Sequence, residues 1–395
     1  MNDITVIIPV YNVEDYVEEC LQSVAAQTMR PHEVLIVNDG TRDNSREICQ
    51  RYADEHDWIT IIDQENKGLS EARNTGLEHA SGNFIVFIDS DDYVAPDMLA
   101  VLHEKIVSTG ADMVKCGTIS FEDTPSGRKS AMWRGLDGKE KGDRMEMSDG
   151  GTPGTGKGTS DGASMDAGKK TSDGGSMDAG KGKSEAATDT HQAKTPDLIL
   201  QDVSDFFEAF FEKKLIANVW NAIYRKELFH GLRFVPDKIM EDNFITPQLL
   251  RRCRKIVIIP EGLYYYRQRP GAIMHSFDNR HFDIIESDLQ LKKILIRNRL
   301  FDTFDDKFYS WYGFHLLVMM KNAARYSGYF RFRGYAQKFH SYVSKEDLVQ
   351  ILSVPDNRTD AAKMKRMLRE FRDRPTRFWL KIKVDSFKKA RRKSS

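Results

Sequence analysis

Phe84-Ile85-Val86-Phe87-Ile88-Asp89-Ser90-Asp91-Asp92 decides the fold, because an unbroken run of bulky β-formers ends abruptly in three carboxylates. Apolar residues without alternation read as a strand buried on both faces, as in the middle of a parallel sheet. The acids stand where that strand leaves the core, and the carboxyl ends of strands are where open α/β sheets bind ligands. If the chain stays extended there, Asp89 and Asp91 project to one side and Ser90 to the other. Two hard oxygen ligands on one side suit Mg²⁺ or Mn²⁺ bridged to a diphosphate. The same acids also read as a solvated turn ahead of a helix that opens near Pro96.

On the amino-terminal side the chain alternates strands and helices. Ile4 to Pro9 is a buried strand, and Val17, Cys20, Leu21, Val24 and Ala25 recur at helical spacing after it. Glu33 to Val37 is a second strand, ending in the turn-rich Asn38-Asp39-Gly40-Thr41-Arg42-Asp43-Asn44-Ser45, which leads into a helix through about His56. Trp58 to Ile62, a helix over Leu69 to Ala80, a helix over Asp97 to Ser108 and a strand over Asp112 to Ser120 continue the rhythm. Such alternation predicts an α/β fold, a mainly parallel sheet with helices on both faces. The first crossover, Val10-Tyr11-Asn12-Val13-Glu14, has no glycine, which excludes a dinucleotide-binding unit or a glycine-rich phosphate loop. Phosphate there must be held by side chains and metal.

From Asp137 to Asp197 there is no Ile, Val, Leu, Phe, Tyr, Trp or Cys, so the segment cannot offset its ordering entropy by burial and reads as disordered. It carries a repeat, Ser148-Asp149-Gly150-Gly151, Ser160-Asp161-Gly162-Ala163 and Ser172-Asp173-Gly174-Gly175, which reads as a flexible linker or as a metal-binding repeat. Order resumes at Leu198. Phe206, Phe207, Phe210 and Phe211 form a helical stripe, Val219 to Arg225 follows, and Met240-Glu241-Asp242-Asn243-Phe244 again sets two acids in an apolar context. A helix is expected to open at Thr246-Pro247. Ile256 to Ile259 and Leu263 to Tyr266 read as short strands, and Phe282 to Tyr342 as helical.

In their order these motifs resemble the family 2 glycosyltransferases, whose fold is GT-A. The resemblance rests on Val6-Ile7-Ile8-Pro9-Val10-Tyr11-Asn12, the 37–45 turn, Asn66-Lys67-Gly68-Leu69-Ser70-Glu71-Ala72-Arg73-Asn74, Phe87-Ile88-Asp89-Ser90-Asp91-Asp92 and Glu241-Asp242. It covers 1–121 and about 198–277. It implies inverting transfer of a hexosyl or N-acetylhexosaminyl group from a nucleotide sugar, a UDP-sugar foremost, to a glycan or lipid-linked acceptor in cell-surface polysaccharide synthesis. By resemblance, Pro9, Tyr11, Asp39, Lys67, Arg73, Asp89 and Ser90 would line the nucleotide sugar. Asp89 and Asp91 of the DxD motif would hold Mg²⁺ or Mn²⁺ with His275 as a possible third ligand, and Asp242 would be the general base. His275 reads equally as an ordinary surface histidine, and Asp242 and Arg73 as helix-cap charge and surface ion pairing. Two positions depart from the pattern, Asn38 where Asp is common and Ala272 where Ser is usual. The rival function is a catalytically silent protein of the same fold that binds glycan or membrane enzymes.

The resemblance divides the chain into a nucleotide-sugar half at 1–123, an insertion at 124–197, an acceptor half at 198–277, a helical region at 278–358 and a basic tail at 359–395. The chain has 59 Lys/Arg and 59 Asp/Glu, yet Ala361 to Ser395 holds 14 of the former against 3 of the latter. Met364, Met367, Leu368 and Phe371 share one helical face there, with Phe378, Trp379, Leu380 and Ile382 beyond Pro375. A basic amphipathic helix suits an anionic membrane surface, and a solvated charged tail is the alternative. No nucleic-acid reader motif accompanies it. Four scattered cysteines, no apolar run of membrane-spanning length and an unadorned amino terminus predict a cytoplasmic protein, peripheral at the inner face of the plasma membrane.

Overall fold

The computed structural model describes residues 3–124, 127–134, 140–141, 196–269, 277–355 and 361–393. In the first half, β1 (Ile4–Val10), α1 (Val17–Ala25), β2 (Glu33–Asn38), α2 (Ser45–Glu55), β3 (Ile59–Asp63), α3 (Leu69–His79) and β4 (Phe84–Phe87) alternate as expected. Next come β5 (Tyr93–Val94), α4 (Met98–Thr109), β6 (Met113–Thr124), β7 (Gly127–Arg134) and β8 (Glu140–Lys141). The second half supplies β9 (Leu198–Leu200), α5 (Val203–Phe211), β10 (Ala222–Arg225), α6 (Asp242–Arg252) and β11 (Ile256–Arg267). These strands form one sheet in the order β3-β2-β1-β4-β10-β6-β11-β5. Strands β1 to β4 pair in parallel, as do β6 and β11, and β10 runs antiparallel between β4 and β6.

The decisive strand behaves as its composition dictates. Phe84, Val86 and Ile88 join an apolar cluster with α1 and α4 on one face, while Ile85 and Phe87 join the other cluster with α5 and α6. Both faces are thus covered, and only the strand ends meet solvent. Close packing of α3 on β1 fixes the helix that carries Arg73, since a Cβ at Gly76 would collide with Ile7 Cγ2.

Several local expectations change. Asp89 to Asp92 does not continue extended; it closes a turn in which the Asp92 N–H donates to the Asp89 carbonyl at 3.0 Å. Helix α6 opens at Asp242 rather than at Thr246, and Pro247 lies inside it. Glu241 and Asp242 therefore occupy a helix N-terminus, where the backbone dipole favours carboxylates. The two short strands expected at 256–266 are one strand, β11, with register shifts around Gly262. Strands β7 and β8 extend the sheet into the interval assigned to the insertion, because β7 pairs antiparallel with β6. Residues 135–139 and 142–195, with the repeat, lie outside the described residues, as do Ala272 and His275.

Beyond the sheet, α7 (Asp283–Arg297), α8 (Phe301–Tyr326), α9 (Tyr329–Tyr342), α10 (Lys345–Ser353), α11 (Ala361–Asp373) and α12 (Pro375–Lys393) pack as a helical region. The tail reading is corrected here. Met364, Met367, Leu368, Phe371, Phe378 and Ile382 are all buried in the core shared with α8 and α9, so that apolar face is not available to a membrane. No helix among the described residues is long and apolar enough to cross a membrane. All four cysteines are buried free thiols.

Candidate active site

A cavity of ≈ 580 Å³ opens at the carboxyl ends of β1, β2 and β4. The Asp89-Ser90-Asp91 turn, at the end of β4, forms its floor, and Pro9, Tyr11, Asp39, Asn66, Gly68, Leu69, Met240, Glu241, Tyr266, Arg267 and Arg269 are among the residues that line the rest. Of the residues expected from sequence, Pro9, Tyr11, Asp39, Asp89, Ser90 and Asp91 border it directly. Lys67, Arg73 and Asp242 are not among the lining residues: Arg73 is buried behind them with Asp242 against it, and Lys67 is exposed.

Asp39 is nearly fully buried and accepts from the Lys67 N–H, the Gly68 N–H and Gln64 Nε2 at 2.7–2.8 Å. Its carboxylate thus ties the 64–68 loop to the end of β2, and the Lys67 backbone is part of that tie. Gly40, at φ 65°, lets the two loops touch, for a Cβ there would lie 2.9 Å from the Asn66 nitrogen. Asn38 has its own local reason. Its amide donates to Asp63 Oδ1 at 2.8 Å while its Oδ1 accepts from the Thr41 N–H, so an aspartate here would set two carboxylates against each other.

Arg73 is the centre of the charged machinery. The side chain is 0 % exposed, and its guanidinium reaches Asp89 Oδ1 at 2.7 Å, Asp242 Oδ1 at 3.1 Å and Glu241 Oε1. It also lies over the Phe234 ring at 5.4 Å. Burial disfavours its charge, but the three carboxylates outweigh that and hold it protonated. Acids from both halves of the fold, 152 residues apart between Asp89 and Glu241, meet on this one cation. Burial pushes the Asp242 carboxyl up to about 7; Arg73 pulls the other way, and the charges of Glu241 and Asp89 add to the rise. Glu241 borders the cavity, while Asp242 faces Arg73 from the first turn of α6. Met240 enters this turn at φ 56°, a left-handed conformation uncommon for its residue type and of the kind found at functional sites.

The three acids of the decisive stretch have separate environments. Asp91 pairs with Arg269 Nε at 2.6 Å, and burial together with Asp89 raises its pKa. Asp92 is buried and accepts from the Tyr264 hydroxyl and the Arg267 N–H, both at 2.8 Å. Burial, with Asp91 and Asp89 nearby, drives its pKa well above the usual carboxylate range. Asp92 is a lock for the turn, whereas Asp89 and Asp91 face the cavity. Among the described residues no three His, Cys, Asp or Glu side chains gather as a ready metal site. Mg²⁺ is commonly held by one or two carboxylates and completed by substrate phosphates and water. Asp89 and Asp91 on the cavity floor fit that partial donor set, once their guanidinium partners yield an oxygen each.

Sequence reading missed Tyr264, whose hydroxyl also accepts from the Asp89 N–H at 3.1 Å, and Tyr266 on the wall. Aromatic residues at the alternate positions 264 and 266 of one strand, sharing a face, were the available signal.

The arrangement is a cavity at the carboxyl end of the sheet, lined by carboxylates and arginines from both halves of the chain. The model of glycosyl transferase family 2 matches residues 5–160. The glycosyltransferase GlyA of Streptococcus pneumoniae is 28% identical over 300 residues, covering 75% of this chain and 35% of its own. An uncharacterized glycosyltransferase of Bacillus subtilis, EpsJ, is 30% identical over 273 residues, covering 68% of this chain and 62% of its own. The chain thus spans less than two thirds of the length of these relatives. Residues 1–349 of Staphylococcus aureus TarS, solved in complex with UDP-GlcNAc, share the fold at a TM-score of 0.50 and 18% identity, covering 98% of this chain and 92% of that one. This chain belongs to glycosyltransferase family 2 and has the GT-A fold.

Proposed function

We propose that this protein transfers a hexosyl or N-acetylhexosaminyl group, with inversion, from a nucleotide sugar to a hydroxyl of a glycan or lipid-linked acceptor of a cell-surface polysaccharide. The observation that carries this reading is the meeting of Asp89, Glu241 and Asp242 on buried Arg73 beside the cavity. The nucleoside end, a uridine by preference, would lie along Pro9, Tyr11 and Asp39. Asp89 and Asp91 would hold Mg²⁺ or Mn²⁺, which supplies positive charge to a departing diphosphate. Arg73 keeps Asp89 and Asp242 in fixed positions, so little reorganisation is needed as charge moves.

The acceptor oxygen forms its bond to the anomeric carbon as the bond to the diphosphate breaks, and the electron pair leaves with the diphosphate. Asp242 takes the acceptor hydroxyl proton. A carboxyl raised to about 7 suits this role, because a base near the working pH combines availability with proton affinity. The test is release of nucleoside diphosphate from a panel of nucleotide sugars by the purified chain, with and without glycan acceptors. One donor turned over in an acceptor-dependent way supports the reading; donor binding with no turnover on any acceptor favours the silent glycan-binding alternative.

Docking at the cytoplasmic face of an anionic membrane belongs to the same proposal, through a different face of the tail from the one expected. Leu380, Val384 and Phe387 are 52%, 50% and 64% exposed and lie on the side of α12 opposite buried Phe378 and Ile382. Lys381, Lys383 and Lys388 flank them. Apolar contact with basic flanks matches an anionic bilayer.

A further inference from the structure

The turn between α8 and α9 carries an apolar tip on a basic surface. From 307 to 345 the chain has seven Lys and Arg and no Asp or Glu. Helix α12 adds eight Lys and Arg against Asp385 alone. In α9, Phe332, Tyr335 and Phe339 face the core, and Phe330, about 200° around the helix from Phe332, faces away from it. At 86% it is the most exposed large apolar side chain among the described residues. Arg333 follows it one turn later on the same side, and Arg331 is exposed next to it.

This corner is fastened to α12. Lys383 Nζ donates to the Arg325 carbonyl at 2.8 Å, and the hydroxyls of Tyr329 and Thr376 share a hydrogen bond of 2.8 Å. The Tyr329 ring lies 5.9 Å from Phe330 and 5.4 Å from Trp379, with Lys383 Nζ 5.8 Å from the indole centroid. An aromatic row thus runs from the exposed tip through half-buried Tyr329 and Trp379 to α12, where Leu380 and Val384 are exposed. Tyr and Trp behind an apolar tip, flanked by cations, match the boundary between acyl chains and anionic headgroups. A second copy of this chain would set the same cations against each other, and a nucleic acid would leave Leu380 and Val384 in water. We propose that Phe330 at the α8–α9 corner inserts into an anionic phospholipid surface, with Tyr329 and Trp379 at headgroup level and Arg325, Arg331 and Arg333 against the phosphates. The proposal rests on the membrane docking of α12 and adds its point of insertion, in a part of the chain remote from the basic tail in sequence.

The experiment uses the full chain, with Phe330→Ser, Phe330→Trp and the pair Arg331→Gln with Arg333→Gln. Binding is measured to vesicles of equal parts phosphatidylglycerol and phosphatidylcholine, and to phosphatidylcholine alone. Wild type should bind the anionic vesicles and bind the neutral ones far less. Phe330→Ser should weaken anionic binding about tenfold, the scale of one apolar side chain partly removed from water. The arginine pair should weaken it about ten- to thirtyfold at low salt and by less at high salt. The emission that Phe330→Trp adds to wild type should shift to the blue on anionic vesicles. These side chains are exposed, so the unfolding temperature should stay at the wild-type value. Equal vesicle binding by wild type and Phe330→Ser, or an unshifted Phe330→Trp signal on bound vesicles, would overturn the insertion. So would tighter binding of single-stranded RNA than of vesicles, or self-association that Phe330→Ser abolishes. No binding of wild type to anionic vesicles would overturn the docking of α12 as well. Binding lost in Leu380→Glu with Phe387→Glu but kept in Phe330→Ser would leave docking at α12 and overturn the corner alone.

Discussion

The acidic turn at 89–92 and the basic tail at 361–393 are both patterned stretches of charge and apolar residues, and the fold places their charges in opposite ways. Around the turn, Arg73, Glu241 and Asp92 are buried, with Arg73 paired to Glu241 and Asp92 accepting from the Tyr264 hydroxyl. In the tail, the apolar face goes inward and most of the Lys and Arg stay at the surface. Burying charge carries a desolvation cost that a packed apolar core does not, and the proposed chemistry gives the cluster at Arg73 a reason that packing does not. Tail burial is explained by packing alone.

Asp91→Ala, and chelation of divalent cations in the intact protein, should remove donor turnover altogether, since a leaving diphosphate needs its charge balanced. Full activity in excess chelator would detach the acidic turn from metal. Arg73→Met should cost about 3–5 kcal/mol of stability, because three carboxylates then face each other without their buried cation. Thermal unfolding of Arg73→Met close to that of wild type would show that the cluster is less coupled than its distances indicate.

A pH profile sharpens the same contrast. Asp242 must be ionised to accept a proton, and with its pKa raised to about 7 it is mostly protonated at pH 6. The rate of transfer should therefore climb through about pH 7 and fall by about tenfold per unit well below it. A rate independent of pH between 5.5 and 8 would contradict that assignment. The smallest effect is expected at the tail, where Leu380→Glu with Phe387→Glu should weaken binding to phosphatidylglycerol vesicles about tenfold and leave the unfolding temperature almost unchanged. Undiminished vesicle binding would assign the basic tail to solvent.

The sheet was legible because β1, β2 and β4 are nearly pure apolar runs, and their turn chemistry marks each end. The cavity floor was legible for the same reason, since acids directly after a buried strand have nowhere else to go. The role of Arg73 as a hub was not, because its three partners come from segments far apart in sequence. Nor was the division of labour among Asp89, Asp91 and Asp92, which depends on Tyr264, Arg267 and Arg269 arriving from β11 and just beyond it. In the tail, a 3.6-residue apolar period says that one face is buried but not against what. Met364 and Phe371 meet α8 and α9 rather than lipid, and amphipathicity has the same form in both cases.

The central claim is that Asp242 takes the acceptor's proton, and its sharpest rival is Glu241, one residue earlier and itself on the cavity wall. Both contact Arg73. The direct measurement is single-turnover transfer to acceptor by Asp242→Asn and Glu241→Gln, with donor binding measured on the same preparations. Asparagine keeps the shape of Asp242 without its basicity, so donor binding should persist while transfer falls about 10²- to 10⁴-fold, the range of a general base. Glu241→Gln should retain most of its transfer. Wild-type transfer by Asp242→Asn, whether or not Glu241→Gln loses it, would contradict the account.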